Sequence, residues 1–375
     1  MTGPAGVRNV YLDWNATTPP LPAVLDAMRA AAETAWANPS SVHRAGRTAR
    51  AVVERAREAV AELGGVEPRD VVFTSGATEA NNLALRHAPA IVTSRLEHPS
   101  VVRVAEALEA AGGVVRWVHV PESGALDPDA VIAATEGLPA GFVVAWMAAN
   151  HETGVLQAVR AVQDAVRARG GRLHVDAVQA VGKVDARDWR AGDTTSIAAH
   201  KIRGPKGIGA LLLRSPGIPR PVLLGGAQER GIRPGTIDAI AAAGFGVAAA
   251  HARDGGPERY AALAPLRDRL ERAALRGASI NGSAPRLPHV ANLSFHAFRG
   301  DELVAALDLD GVRASSGSAC SAGTTERSPV IEAMVGRARA ESAVRFSLGE
   351  STTREDVDAA ISVLDRAISR RSSSP

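Results

Sequence analysis

Residues 71–111 read VVFTSGATEANNLALRHAPAIVTSRLEHPSVVRVAEALEAA. VVFTSG is a strand that breaks at Gly76 into a helix, ATEANNLAL, and AIVTSRLEH repeats the unit, leading into PSVVRVAEALEAA. The rhythm continues outward. VVRWVHV at 114–120, GFVVAWMAAN at 141–150 and RLHV at 172–175 read as further strands, followed by TTSIAA and IGALLLR. Strands alternating with helices predict an α/β fold, a mainly parallel seven-stranded sheet sandwiched by helices. After about residue 245 the pattern changes to two long helices, short strands near ANLSF and AVRFSLG, and a last helix from Thr353 to Arg370. The expected division is a large domain over 16–245 and a smaller α+β lobe from 1–15 and 246–375, ending in a low-complexity RRSSSP tail.

Composition narrows the classes of function. The 375 residues are 46% hydrophobic, enough for a large core, but only 3% aromatic, so that core is aliphatic. The 43 basic and 40 acidic residues are interspersed, which gives no basic patch for nucleic acid. No apolar run approaches the ~20 residues of a membrane span, and MTGPAGVRNV has no signal-like apolar core. A soluble cytoplasmic protein is expected. The single cysteine, Cys320, cannot form an intrachain disulfide.

The chemistry concentrates between His174 and Gly209, where HVDAVQ and SIAAHKIRGPKGIG place an acid and a lysine at the ends of two apolar segments. A pyridoxal phosphate enzyme needs such a pair: a desolvated lysine to form an imine with the aldehyde, and a carboxylate to keep the pyridine nitrogen protonated. Lys201 follows the weakly polar Ser196-Ile197-Ala198-Ala199, whereas Lys206 lies in a Gly-Pro/Gly turn. On an extended segment His174 and Asp176 share a face, and Gln179 follows within a turn. At FTSGATEANN, Gly76, the hydroxyl of Thr78 and the first amides of a helix make a landing place for phosphate. His98 ends another strand and is suited to lie on a cofactor ring or carry a proton. Cys320, in SSGSACSAGTTERSP, has nothing apolar around it to bury it and reads as an exposed loop nucleophile. Arg345 in VRFSLG reads as a clamp for a substrate carboxylate or as half of a surface ion pair.

Ten segments, in order, resemble one family closely: YLDWNATTP at 11–19, NPSSVHRAG at 38–46, FTSGATEANNLAL at 73–85, EHPSV at 97–101, NHETGVLQ at 150–157, HVDAVQAVGK at 174–183, AHKIRGPKGIGAL at 199–211, GGAQERGIRPGT at 225–236, SSGSACSAG at 315–323 and RFSLG at 345–349. They resemble the cysteine desulfurases, fold-type I pyridoxal phosphate enzymes of the class V aminotransferase group, in the branch with a long cysteine loop. The resemblance implies that Lys201 carries the cofactor, Asp176 holds its ring nitrogen, Gln179 its phenolic oxygen, and His98 stacks on the ring. It implies that Ala77, Thr78 and His200 meet the phosphate, with Thr236 reaching the phosphate of the other subunit of a homodimer. Arg345, with Asn15, is implied to bind the carboxylate of L-cysteine, and Cys320 to take the sulfur as a persulfide. The product is L-alanine, and the sulfur passes to an acceptor protein of iron–sulfur assembly or thiolation. No intrinsic metal is implied; a transient iron–sulfur contact at Cys320 is the one such contact compatible with that role.

Two positions depart from the family pattern. Ala198 stands where a serine three residues before the lysine is usual, and His151 where a second asparagine, beside the phenolic oxygen, is usual. Near a phenolate the imidazole pKa rises, and burial lowers it, so the sequence leaves the sign of its shift open. Three readings therefore stand at this point: a cysteine desulfurase, a related enzyme on the same cofactor such as a selenocysteine lyase or an aminotransferase, and a non-catalytic sulfur-transfer or regulatory paralogue.

Overall fold

The computed structural model describes residues 9–215, 219–283, 285–317 and 327–372. The chain enters through β1 (Val10–Tyr11) and then forms the strands of the main sheet. These are β2 (Val71–Thr74), β3 (Ala90–Ser94), β4 (Val114–Val118), β5 (Val143–Met147), β6 (Arg172–Asp176), β7 (Thr194–Ala198) and β8 (Gly209–Leu213). Their spatial order is β2-β8-β7-β6-β5-β3-β4. All neighbouring pairs are parallel except those of β8, which runs antiparallel to both β2 and β7. The seven-stranded, mainly parallel sheet is the one expected from the alternation. The inner strands β3 and β5 are buried at every residue, as strands covered on both faces must be, while the edge strand β4 alternates between exposed and half-buried positions over its first four residues.

Helix boundaries follow local chemistry. In the helix Arg44–Gly64, the ring of His43 accepts from the Gly46 amide, and Gly65 closes the far end at φ +64°. The helix Pro99–Ala110 starts with proline at its first position and is capped by His98. The smaller sheet is antiparallel, in the order β12-β10-β9, from β9 (Ala278–Ile280), β10 (Val290–Phe295) and β12 (Ala343–Ser347); β11 (Val312–Arg313) pairs with β1. One apolar cluster, including Val92, Val144, Leu173, Ile197 and Phe245, lies under the main sheet. A second, including Leu293, Phe295, Val344, Phe346 and Leu364, also takes in Val10 and Leu12 from the N-terminal segment.

The two long helices expected after residue 245 are not what forms. A helix Ala239–Arg253 begins earlier and buries Ala242, Phe245 and Ala249 in the larger cluster; the short helices Gly256–Ala261 and Ala264–Ala274 follow. Its sequence AIAAAGFGVAAA is apolar on all sides, which suits a buried helix rather than a surface one. Among the described residues no helix is long and apolar enough to cross a membrane.

The C-terminal ends of the parallel strands converge, as ligand-binding crevices of open α/β sheets require. Thr74, Ala198 and Gly209 meet there, Gly209 being paired with both. A Cβ on Gly209 would sit 2.6 Å from the Ile197 carbonyl oxygen and 2.8 Å from Gly76 Cα. Gly209→Ala is expected to destabilise the protein by about 1–3 kcal/mol through the forced backbone shift, read by urea unfolding. A change below about 0.3 kcal/mol would show that β8 moves freely.

Candidate active site

A cavity of about 540 Å³ opens at those strand ends, lined among others by Asn15, Ala77, Thr78, His98, His151, Asp176, Gln179, Ala198, His200, Lys201 and Arg345. Asp176 ends β6 and is 6% exposed. Its carboxylate accepts from Asn81 Nδ2 at 2.9 Å and from the Val178 amide at 3.0 Å. A carboxylate only accepts, so it fixes the Asn81 amide with its nitrogen toward Asp176. The Asn81 Oδ1 then faces His174 Nε2, 2.9 Å away, which must donate, while His174 Nδ1 lies 2.8 Å from the Thr194 hydroxyl. Burial pushes His174 down to about 4, against the opposing pull of Asp176, so this ring is neutral near pH 7.

The second N–H of Asn81 reaches Ser100 Oγ at 2.8 Å. The Ser100 hydroxyl and amide converge on His98 Nδ1 at 2.8 and 3.1 Å, leaving that atom an acceptor and Nε2 the protonated nitrogen of the neutral ring. Burial depresses the His98 pKa; Asp176 opposes that and Lys201 adds to it. One buried amide thus orients the acid and, through Ser100, the histidine that lines the cavity with it.

Lys201 ends the short turn that follows β7. Its Nζ donates to the carbonyls of Asn15 at 2.5 Å and Ala16 at 2.9 Å. Gln179 Nε2 shares the Asn15 carbonyl, at 2.9 Å. The Asn15 side chain is tied down as well, donating to the His151 carbonyl at 3.1 Å while its Oδ1 faces His289 Nε2 at 2.9 Å. Lys206 is exposed and lies at the cavity rim.

Gly76 caps the helix Ala77–Leu85 at φ +156°, a conformation essentially reserved for glycine, and the first amides of that helix border the cavity. His200 sits beside them, its Nδ1 3.2 Å from the Thr17 hydroxyl; burial, then the charges of Lys201, Lys183 and Lys206, lower its pKa to about 4. Ala198 also lines the cavity, and the nearby Ser196 does not supply the missing hydroxyl, since its Oγ turns toward His174.

Arg345 is 2% exposed, so the surface ion pair is excluded in favour of a buried one. It donates to Asp13 Oδ1 at 2.6 Å and to the His151 carbonyl at 3.1 Å, and its Nε, though buried, meets no partner among the described residues. Both ring nitrogens of His151 are likewise buried without a hydrogen-bond partner among the described residues. Burial first, then His98, Arg345 and Lys201, hold the His151 pKa well below its usual value. The cavity lining as a whole, with Lys201, Arg345, His98, His200 and the first residues of the helix Ala77–Leu85, fits a polar, anionic ring ligand. Thr236 is exposed and does not line this cavity, and Cys320 lies outside the described residues. Among the described residues no cluster of His, Cys, Asp or Glu could hold a metal ion.

Asn81, Ser100 and Asp13 were not singled out from sequence. The signal for Asn81 was a polar residue inside the apolar face of a short helix, visible only once that face is known to be fully buried.

The profile of the aminotransferase class-V family matches residues 10–360, and the chain belongs to that family. It is 38% identical over 379 residues to the IscS-like cysteine desulfurase of Mycobacterium tuberculosis, with 96% of each chain covered. A solved NifS-like protein superposes with a TM-score of 0.87 at 32% identity, covering 97% of this chain and 100% of that one. The structure described as SspA in complex with cysteine superposes at 0.78 with 28% identity, covering 92% and 100%. Within the family the chain is placed with the cysteine desulfurases, pyridoxal phosphate enzymes that remove sulfur from cysteine.

Because the folded-state pKa of buried His174 is about 4 and its unfolded value 6.5, the unfolded chain binds the extra proton between those limits. Stability is therefore full above pH 6.5 and is expected to fall as pH drops toward 4, by on the order of 3 kcal/mol from this residue. Urea unfolding across that range measures it, and His174→Asn is expected to flatten the slope. Equal slopes in the two proteins would place the titration elsewhere.

Proposed function

We propose that the cavity holds pyridoxal 5'-phosphate and that this chain converts L-cysteine to L-alanine, carrying the sulfur as a persulfide on Cys320. The observation that carries the reading is the convergence of Lys201, Asp176 and His98 on one cavity beside a helix N-terminus. In this reading Lys201 is the covalent anchor, Asp176 pairs with the ring nitrogen, Gln179 and His151 face the phenolic oxygen, and His98 lies against the ring. Ala77, Thr78 and His200 hold the phosphate, joined by Thr236 from the second copy of a homodimer. Bound there, the cofactor supplies an electron sink for a substrate carbon.

The chain's own groups do the rest. Asp176, oriented by Asn81, keeps the ring nitrogen charged. Lys201, drawn toward the Asn15 and Ala16 carbonyls, is positioned to take a proton from the substrate α-carbon once freed. Arg345, with Asn15 beside it, lines the cavity and brings its positive charge to the substrate carboxylate. The Cys320 thiolate attacks the substrate sulfur: an S–S bond forms, the C–S bond breaks, and its electron pair stays on the carbon, which takes a proton to become the alanine methyl. The cofactor domain of this reading runs from about residue 16 through the helix Ala239–Arg253, whose Ala248, Ala249 and Ala252 pack in the larger cluster. The expected boundary at 245 therefore moves to the end of that helix, and the domain bearing the cysteine takes up the chain after it together with the N-terminal segment. In this reading the enzyme works in the cytoplasm and passes the sulfur to an acceptor protein, an iron–sulfur scaffold or a thiolation protein.

Incubation with L-cysteine should release alanine and add sulfur to Cys320, read by mass spectrometry. Lys201→Ala is expected to lose the visible absorbance of the protein-bound cofactor, Lys206→Ala to keep it, and Cys320→Ser to bind cofactor without releasing alanine. Turnover in Cys320→Ser at the parent rate would overturn the role of the thiol. Ala198→Ser should restore one hydrogen bond to the phosphate, about 1 kcal/mol, and retain cofactor several-fold better on dialysis. Weaker retention would show the cradle already complete.

A further inference from the structure

Lys183 is 2% exposed, yet it is a lysine in a place that an apolar side chain could fill. It follows Gln179 by four residues in the turns after β6, and its Nζ donates to Gln179 Oε1 at 2.9 Å. The ring of Tyr260 lies 5.8 Å from the same nitrogen. Burial, then the charges of Lys201 and Arg345, push its pKa well below the usual value, with Glu350 opposing. Burying an amine this deeply costs more than burying a hydrocarbon of the same length, and replacing such groups by apolar ones often leaves a fold as stable or more so. Packing alone gives no reason for it.

The reason lies in the amide it touches. A side-chain amide can turn by half a circle at little steric cost, exchanging its donor and acceptor ends. Two contacts select one of the two orientations: the Asn15 carbonyl, which only accepts, requires the Gln179 nitrogen on its side, and an N–H of Lys183 takes up the Gln179 oxygen on the other. That carbonyl also receives Lys201. We propose that Lys183 is a positioning residue, whose hydrogen bond to Gln179 Oε1 holds the Gln179 amide with its N–H groups presented to the cofactor's phenolic oxygen. The proposal rests on the placement of Gln179 given under the proposed function. With Lys183 gone, the Gln179 oxygen is left buried without its donor, and only the Asn15 carbonyl still holds the amide against a half-turn that would bring an acceptor to the anionic oxygen and repel it.

The test uses the intact protein loaded with pyridoxal 5'-phosphate and follows its visible absorbance against pH in the parent, Lys183→Met, Gln179→Ala and the double variant. A donor on the phenolic oxygen makes that oxygen less basic and so eases proton loss from the neighbouring cofactor-bound nitrogen. Loss of the donor is expected to move the absorbance midpoint upward by about one unit in Lys183→Met and in Gln179→Ala, and no further in the double variant. Thermal unfolding of the cofactor-free proteins is expected to show Lys183→Met melting no lower than the parent. An unmoved midpoint in Lys183→Met overturns the proposal, as does a shift that adds in the double variant, which marks an action by charge independent of Gln179. A Lys183→Met chain that fails to fold makes the lysine structural and also overturns it. A parent without cofactor absorbance instead overturns the cofactor assignment itself, and the two failures are thereby told apart.

Discussion

The buried carboxylate of Asp176 sets the arrangement of everything around it. An acceptor with no donor of its own dictates which way Asn81 turns, and Asn81 in turn fixes His174 as a donor and Ser100 as the donor to His98. Four side chains from β6, from two helices and from the strand-to-helix corner at His98 are thus locked by a single charge. A partly satisfied network would cost more than an apolar core, so the complete pairing of Asn81 is what makes a polar centre affordable inside this sheet.

A second lock, built the opposite way, lies beside it. Here the organising group is a donor, Lys183, and the amide it orients is Gln179. The Asn15 carbonyl joins this lock to Lys201, and the Asn15 side chain joins it to His151 and His289. The N-terminal segment that carries Asn15 is anchored by Val10 and Leu12 in the smaller core, and Asp13 pairs with Arg345 from β12. The cavity is therefore bordered by a strap that is rooted in the smaller core and bonds to groups of both parts, His151, Gln179 and Lys201 on one side and His289 and Arg345 on the other.

Much of the large sheet was legible in the sequence because buried parallel strands announce themselves as short apolar runs between helices. The run IGALLLR gave no sign that β8 is reversed, since an apolar run carries no direction; that follows from the close approach of Gly209 to Gly76 and from pairing with β2 and β7. Likewise Asp176 and Lys201 were readable from the strand ends on which they fall. Asn81 and Lys183 were not, because their importance comes from partners 95 residues away in one case and from complete burial in the other. Asn15, read only as a neighbour of the substrate carboxylate, joins His151, Gln179, Lys201, His289 and Ser347. His151 shows the limit most plainly: no sequence pattern reveals that it is buried beside His98, Arg345 and Lys201, all of which lower its pKa together with burial.

The central claim is that Asp176, through Asn81, sets the tautomer of His174, while the Ser100 amide and hydroxyl set that of His98. Nitrogen-15 NMR of the imidazoles at pH 6 tests it most directly. The account predicts a neutral His174 ring at that pH and, in the neutral form of each of the two histidines, a proton on Nε2 and an unprotonated Nδ1. A proton on Nδ1 of His174, or a charged His174 ring at that pH, would contradict it.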